Sequence, residues 1–399
     1  MEKQSLKEKL LYFANKELFG NILTYWRKSA MDKENGGFYG AIDNKNNPLK
    51  DAPKGLILNA RLLWTFSAAY KLAGNENDLI MAQTAYEYIN ENFKDHKYDG
   101  YFWTVNPDGS PKDMKKQIYA QAFTMYGMSE YFKITRNEIA LQLAIELFRL
   151  IELKAFDNEK NGYFEAFHRD WSEIDDMRLS NKDMNEKKTM NTHLHIIEAY
   201  ANLYTIWKND QLAEKIENLI ELFLNTIISA EDNHLNLFFD ENWNIKSTEI
   251  SYGHDIEAGW LVYESALVLG DKTLLRKVKK RLAAITDAAL QGMCKEGGLY
   301  HEGDRSGNHK DDEFEWWPQA EALVGLVNTF EITNNTKYLD HAVKISDFIL
   351  KFFSEKADGE WFYRVNKEGN PVLKYNKVDL WKCPYHNGRA CMELIKRLK

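Results

Sequence analysis

The sequence predicts an all-α fold, a closed (α/α)6 barrel of six helical hairpins with short aromatic strands or turns in the linking loops, on three observations. First, six aromatic segments recur: "NGGFYG" from residue 35, "DGYFWTV" from 99, "NGYFEAF" from 161, "LNLFFDENW" from 235, "GGLYHEG" from 297 and "DGEWFYRV" from 358. Their starts are 64, 62, 74, 62 and 61 residues apart, the mark of a repeated supersecondary unit. Second, between consecutive segments lie two stretches with apolar residues at three- and four-residue intervals, as in helices with a buried stripe. Third, the stretches alternate in polarity, and that alternation separates an outer helix ring from an inner one.

In order, the expected helices span residues 5–29, 55–73, 77–94, 117–134, 136–154, 189–207, 211–228, 255–269, 273–291, 314–334, 336–354 and 386–398. Odd-numbered ones such as "TLLRKVKKRLAAITDAAL" carry dense charge on one face and belong outside. Even-numbered ones such as "QIYAQAFTMYGMSEYF" carry few charges, gathered near their N-terminal ends, and belong inside. All six inner helices then run the same way, so their first turns, with free N–H groups and positive dipole ends, surround one barrel mouth. An active site is expected there, within a single catalytic domain over 1–399.

Composition narrows the chemistry. The 399 residues are 44% hydrophobic and 28% charged, with a net charge of −8 spread along the chain, which argues against nucleic acid or an anionic membrane as partner. Cys294, Cys383 and Cys391 form no CxxC pair, and a reducing, cytoplasmic setting is expected. No uninterrupted apolar run is long enough for a membrane span, and no GxGxxG or GxxxxGK[ST] motif is present. The expected partner is a small molecule, acted on by a monomer with no cofactor and no metal.

The inner-helix starts gather polar residues. "KGLILNARLLW" places Asn59 and Arg61 among leucines, where Arg61 is either a staple to an acid or a donor to ligand oxygens. The fourth helix offers Tyr119 and Gln121. In "NTHLHIIEAY", Asn191, His193 and His195 open the sixth helix, and two histidines two residues apart cannot both face one pocket. In "SYGHDIEAGW", Gly253 or its neighbours are expected to form the turn, with His254 and Glu257 an i,i+3 pair whose acid sets the tautomer and basicity of the imidazole. "EFEWWPQAEA" supplies Glu315, Trp316, Trp317 and Glu321, and "LWKCPYHNGRACMEL" supplies Trp381, Tyr385, His386, Asn387 and Arg389. Histidines from three helices with tryptophan walls suit proton transfer at a sugar carbon. A glycoside hydrolase drawing on Asp255, Glu257, Glu315 and Glu321 is the competing class, and it leaves the histidines without a role.

"GGFYG", "KGLILNARLLW", "NTHLHIIEAY", "GHDIEAGWL", "EWWPQAEA" and "WKCPYHNGRACMEL", in this order, resemble the cellobiose 2-epimerases of the N-acylglucosamine 2-epimerase superfamily over nearly the whole chain. The resemblance implies an (α/α)6 barrel and cofactor-independent epimerisation at C2 of the reducing-end glucose of β-1,4-linked disaccharides. It implies His254 and His386 as the acid/base pair, Glu257 in support of His254, and His195 and Arg61 assisting at O1 and the enediolate. It further implies Tyr119, Asp183, Asn191 and Glu321 as sugar-binding residues, with Trp317 and Trp381 stacking on the substrate. Mannose isomerisation and N-acylglucosamine epimerisation are the sibling activities on the same barrel.

Overall fold

The computed structural model describes residues 2–308 and 312–399. Twelve helices follow one another among these residues: α1 (2–29), α2 (Leu56–Ala73), α3 (76–93), α4 (Ile118–Thr135), α5 (Glu138–Lys154), α6 (Met190–Tyr204), α7 (210–227), α8 (Tyr252–Leu269), α9 (272–292), α10 (Trp316–Thr333), α11 (337–353) and α12 (Tyr385–Leu398). The even-numbered helices pack in a closed ring, α2 on α4, α4 on α6, α6 on α8, α8 on α10, α10 on α12, and α12 back on α2. The odd-numbered helices lie outside them, and the whole is the (α/α)6 barrel.

Burial follows the polarity of the sequence. Every residue of α4 from Ile118 to Phe132 is buried, whereas the first thirteen residues of α7 bury only Leu212, Ile216, Leu219, Ile220 and Leu222, an i,i+3/i+4 stripe. Outer helices begin on side-chain caps where the sequence supplies them: Asn137, Asn209 and Asp271 each accept a hydrogen bond from a first-turn N–H of the helix that follows.

The aromatic segments form two sets of short antiparallel contacts. Just after each outer helix, a bridge folds the chain back: Met31–Phe38, Lys94–Tyr101, Phe156–Tyr163, Ile228–Leu235, Met293–Leu299 and Ser354–Trp361. Just before each inner helix, a short strand pairs with the aromatic segment of the next repeat: 54–55 with 104–105, 116–117 with 166–167, 188–189 with 238–239, 249–251 with 302–304 and 314–315 with 364–365. The sixth such contact is the bridge between Ile42 and Val378, which joins the two ends of the chain and closes the ring.

Buried lysines pin these loops at one repeated position, Lys54 to Asp32, Lys116 to Asp95, Lys188 to Asp157 and Lys382 to Glu360. Ile250 and Phe314 take that place in the other two repeats. Breaking one partner of such a pair leaves a buried charge uncompensated, at a cost of about 3–5 kcal/mol.

Two local expectations change. The spacing predicts a helix from 255, but α8 starts at Tyr252 because the Ser251 side chain caps it. Gly253 is therefore a first-turn residue and not the turn itself. A Cβ there would lie 2.6 Å from the Trp317 ring, so glycine is required for close approach of that indole.

Candidate active site

Five of the six inner helices carry one side chain that holds the preceding aromatic bridge, Asn59 of α2 bonding Gly55 instead, and this position sorts structural from cavity-facing residues. Gln121 accepts from the Tyr101 N–H and donates to its carbonyl. His193 accepts from the Tyr163 N–H, Asp255 from the Leu235 N–H and from His234, and Gln319 from the Leu299 N–H. Asn387 acts through Glu360, which in turn accepts the Trp361 N–H. His193 and Asp255 thus belong to the scaffold.

One and two residues earlier the side chains turn to the mouth. His254 and His386 stand at the same place in their repeats, and Tyr119, Asn191 and Trp317 one residue before it. Two residues beyond the bridge-holding position stand Arg61, His195 and Glu257, which form the floor, and Phe123, Glu321 and Arg389, which lie behind it.

A cavity of about 420 Å³ opens at the mouth, within the size range of small-molecule sites. It is lined by Arg61, Tyr119, Asn191, His195, His254, Glu257, Trp317, Trp381 and His386, together with Asp183 from the 177–186 loop. The structure thus brings ten of the eleven expected site residues to one space. Glu321 is the exception. It is fully buried one layer down, where it bonds His386, Arg389 and the Trp260 indole.

The His254–Glu257 pairing is also corrected. Nδ1 of His254 lies 2.8 Å from Ser251 Oγ, one turn nearer the helix start. Glu257 accepts from Arg389 Nη2 at 2.8 Å. An i,i+3 spacing permits contact without dictating it, and here the cap and the arginine each took one partner. The same spacing does form a pair on α6, where His195 Nδ1 lies 2.8 Å from Glu198 Oε2.

With Nδ1 engaged in both residues, Nε2 is the nitrogen that His254 and His386 have left for the cavity. His386 Nδ1 lies 2.7 Å from Glu321 Oε1. The two imidazoles flank Trp317, with ring centroids 4.7 and 5.6 Å from its own. Burial pushes both far below the ordinary histidine value, reinforced by the other cavity histidines around His254 and by Arg61 and Arg389 around His386. His195 is lowered by burial too. All three are neutral at pH 7.

Arg61 donates to the Tyr119 hydroxyl at 2.7 Å and stacks over Phe123 and Tyr385. Among the described residues it forms no ion pair. That decides against the staple reading and leaves a positive charge at the cavity wall. Burial raises the Asp183 carboxyl, whose Oδ2 accepts from the Ser180 N–H at 2.7 Å.

Below the floor runs a continuous network. Glu198 accepts from His195, from the Tyr385 hydroxyl and from Arg389, and Arg389 also donates to Glu257 and Glu321. Burial works against ionisation of Glu198, but Arg389 and His195 outweigh it and bring its carboxyl down to about 2. Glu257, Glu321 and His386 bring ligand-type atoms within 4.8 Å of one another. The cation between the two carboxylates is Arg389, whose Nη2 donates to both.

Sequence reasoning missed Glu198, His301 and Glu165. The repeat register holds a signal for the last two: the second residue after each aromatic bridge is Gly40, Trp103, Glu165, Leu237, His301 or Tyr363, and the last four all line the cavity. The His301 ring sits 5.9 Å from that of His254. Burial opposes its protonation, but Glu302 and Glu315 prevail and raise its pKa. Burial raises Glu165 to about 8.

No helix among the described residues is long and apolar enough to cross a membrane. The N-acylglucosamine 2-epimerase (GlcNAc 2-epimerase) family matches residues 37–387. The chain is 46% identical over 380 residues to a cellobiose 2-epimerase of Bacteroides fragilis, covering 95% of this chain and 97% of that relative. It is 37% identical over 401 residues to a cellobiose 2-epimerase of Dictyoglomus turgidum, with 100% of each chain covered. Its fold superposes on the structure of cellobiose 2-epimerase from Bacillus thermoamylovorans with a TM-score of 0.92 at 39% identity, covering 97% of this chain and 99% of that one. The protein, with its histidine-lined barrel mouth, belongs to the N-acylglucosamine 2-epimerase family and is a carbohydrate epimerase, an isomerase.

Proposed function

We propose that the protein inverts C2 of the reducing-end glucose of β-1,4-linked disaccharides, turning cellobiose into glucosyl-mannose and lactose into epilactose. The observation that carries this reading is the pair of neutral imidazoles, His254 and His386, on different inner helices and both in ring contact with Trp317 in one cavity. After ring opening, one imidazole removes the hydrogen alpha to the aldehyde and the other returns a proton to the opposite face of the enediolate. Arg61, with no acid to neutralise it, stabilises the oxyanion at O1, and His195 beside Tyr119 assists there. Trp317 and Trp381 offer faces to the sugar rings, and Tyr119, Asn191 and Asp183 offer hydrogen bonds to its hydroxyls. The Asn191 side-chain oxygen is buried with no hydrogen-bond partner among the described residues, as a sugar-binding group waiting for a donor would be.

The carboxylates speak against a hydrolase. Asp255 holds the Leu235 backbone, Glu257 and Glu321 share Arg389, and Glu315 pairs with Arg364. None of the four is free to serve as a nucleophile or base at a glycosidic bond.

Incubation with cellobiose, lactose, mannose and N-acetylmannosamine, followed by product separation, tests the reading. The disaccharide epimers should form, and in deuterated water they should carry deuterium at C2. Ketose from mannose with the disaccharides untouched would assign a sibling activity, and free glucose would revive the hydrolase.

A further inference from the structure

A neutral imidazole that returns a hydrogen to C2 from its cavity nitrogen would be left as an imidazolate unless its other nitrogen receives a proton in the same step. We propose that Glu257 and Glu321, clamped on one nitrogen of Arg389, hold a single proton between them and pass it through Glu321 to Nδ1 of His386, so that this imidazole can act as the acid. The proposal rests on the two-histidine epimerase reading.

Geometry and charge carry it. Arg389 Nη2 bonds Glu257 Oε1 at 2.8 Å and Glu321 Oε1 at 2.7 Å, so both acids converge on a single donor atom. Glu198 makes a third carboxylate around the same guanidinium, and it is satisfied by Arg389, His195 and Tyr385. All three acids are buried. Among the other facing groups His195 and His386 are neutral and Tyr119 and Tyr385 are protonated, while Arg61 feels the Glu257 charge but donates to Tyr119 and forms no ion pair with either acid. Two like charges crowded onto one cation do not both ionise. Burial raises both Glu257 and Glu321; the Glu321 charge adds to the rise at Glu257, and the Glu198 charge adds to the rise at Glu321.

The proton balance closes. In the direction in which His254 abstracts, the C2–H electron pair becomes the C1–C2 π bond, the carbonyl pair moves to O1, and Nε2 of His254 takes the proton. His386 then gives its Nε2 hydrogen to the opposite face of C2, the π pair forms the new C–H bond, and C1=O1 is restored. Nδ1 of His386 receives the shared proton from Glu321 across their 2.7 Å contact. One proton has passed from the carboxylate pair to His254, and both exchange it with water after product leaves. In the reverse direction His386 abstracts and refills the pair.

The test is infrared difference spectroscopy of the sugar-free protein in the Glu165→Gln background, which removes the cavity carboxyl raised to about 8, with Asp183 and Asp379 common to every variant compared. The C=O stretch of a buried carboxylic acid should vanish on adding either Glu257→Gln or Glu321→Gln, since removing one acid leaves its neighbour alone with Arg389 and ionised. Loss in only one of the two, or in neither, would overturn the shared proton. Should those variants fail to fold, the conservative Glu257→Asp and Glu321→Asp variants in the same background should each shift an acid band that persists at about pH 9, and a spectrum unchanged by both would overturn the proposal equally. The catalytic half is read separately: Glu257→Gln should lower kcat at least about tenfold with little change in KM, and an unchanged kcat would refute it. Because the band is recorded without substrate, failure of the sugar assignment would leave this result untouched.

Discussion

Arg61 is the side chain whose role changes most between sequence and structure. A buried guanidinium among leucines is ordinarily held by an acid, yet here its partners are a phenol hydroxyl, a backbone carbonyl and aromatic faces. A buried charge without a counter-charge costs folding free energy, and that cost is reasonable where an anion forms during the reaction. Arg61→Met should therefore lower kcat by about 10²–10³-fold while leaving the melting temperature equal or higher. A fall in melting temperature with kcat intact would mean that the arginine is a staple after all.

Residue-level chemistry was legible in part. His254, His386, His195 and the tryptophans stood out because imidazoles and indoles at several inner-helix starts serve no packing need. Glu198 did not, since "HLHIIEAY" and "GHDIEAGW" offer the same i,i+3 spacing of histidine and acid. Which pair forms depends on Ser251, one turn before His254, and on Arg389 and Tyr385, which lie far along the sequence.

Helices are where the sequence was most informative. The 3.6-residue pattern located all twelve with small shifts at their ends, because each buries one continuous stripe or nearly its whole surface. The shifts have local causes, such as the Ser251 cap that starts α8 three residues early. What the pattern lacked was register between helix and loop. One side chain per inner helix, α2 excepted, holds the preceding bridge, whether Gln121, His193, Asp255 or Gln319, and hydrogen-bonding reach is all those four share. Exchange among them should be tolerated. His193→Gln is expected to keep kcat within about threefold of wild type, whereas His195→Gln, on the cavity floor, should lose roughly a hundredfold. Equal losses in the two variants would place His193 in the chemistry.

At the scale of the molecule, closure makes the site. The Ile42–Val378 bridge and the packing of α12 against α2 bring His386, near the end of the chain, to the mouth that Arg61 shares. The sixfold repeat sets His254 and His386 in equivalent positions two repeats apart, with Trp317 of the intervening repeat between them. The proposed mechanism needs two bases that reach one carbon from different sides, and the placement of these two histidines follows from the closed ring more than from any single helix.

Two-sided access is tested most directly by hydrogen exchange at C2 in single-histidine variants. Each epimer is incubated in deuterated water with His254→Ala or His386→Ala. Each variant should fail to interconvert the epimers yet exchange the C2 hydrogen of one of them, the opposite one in the two variants. Exchange of the same epimer by both variants, or epimerisation surviving the loss of either histidine, would show that the two imidazoles do not divide the faces of the enediolate between them.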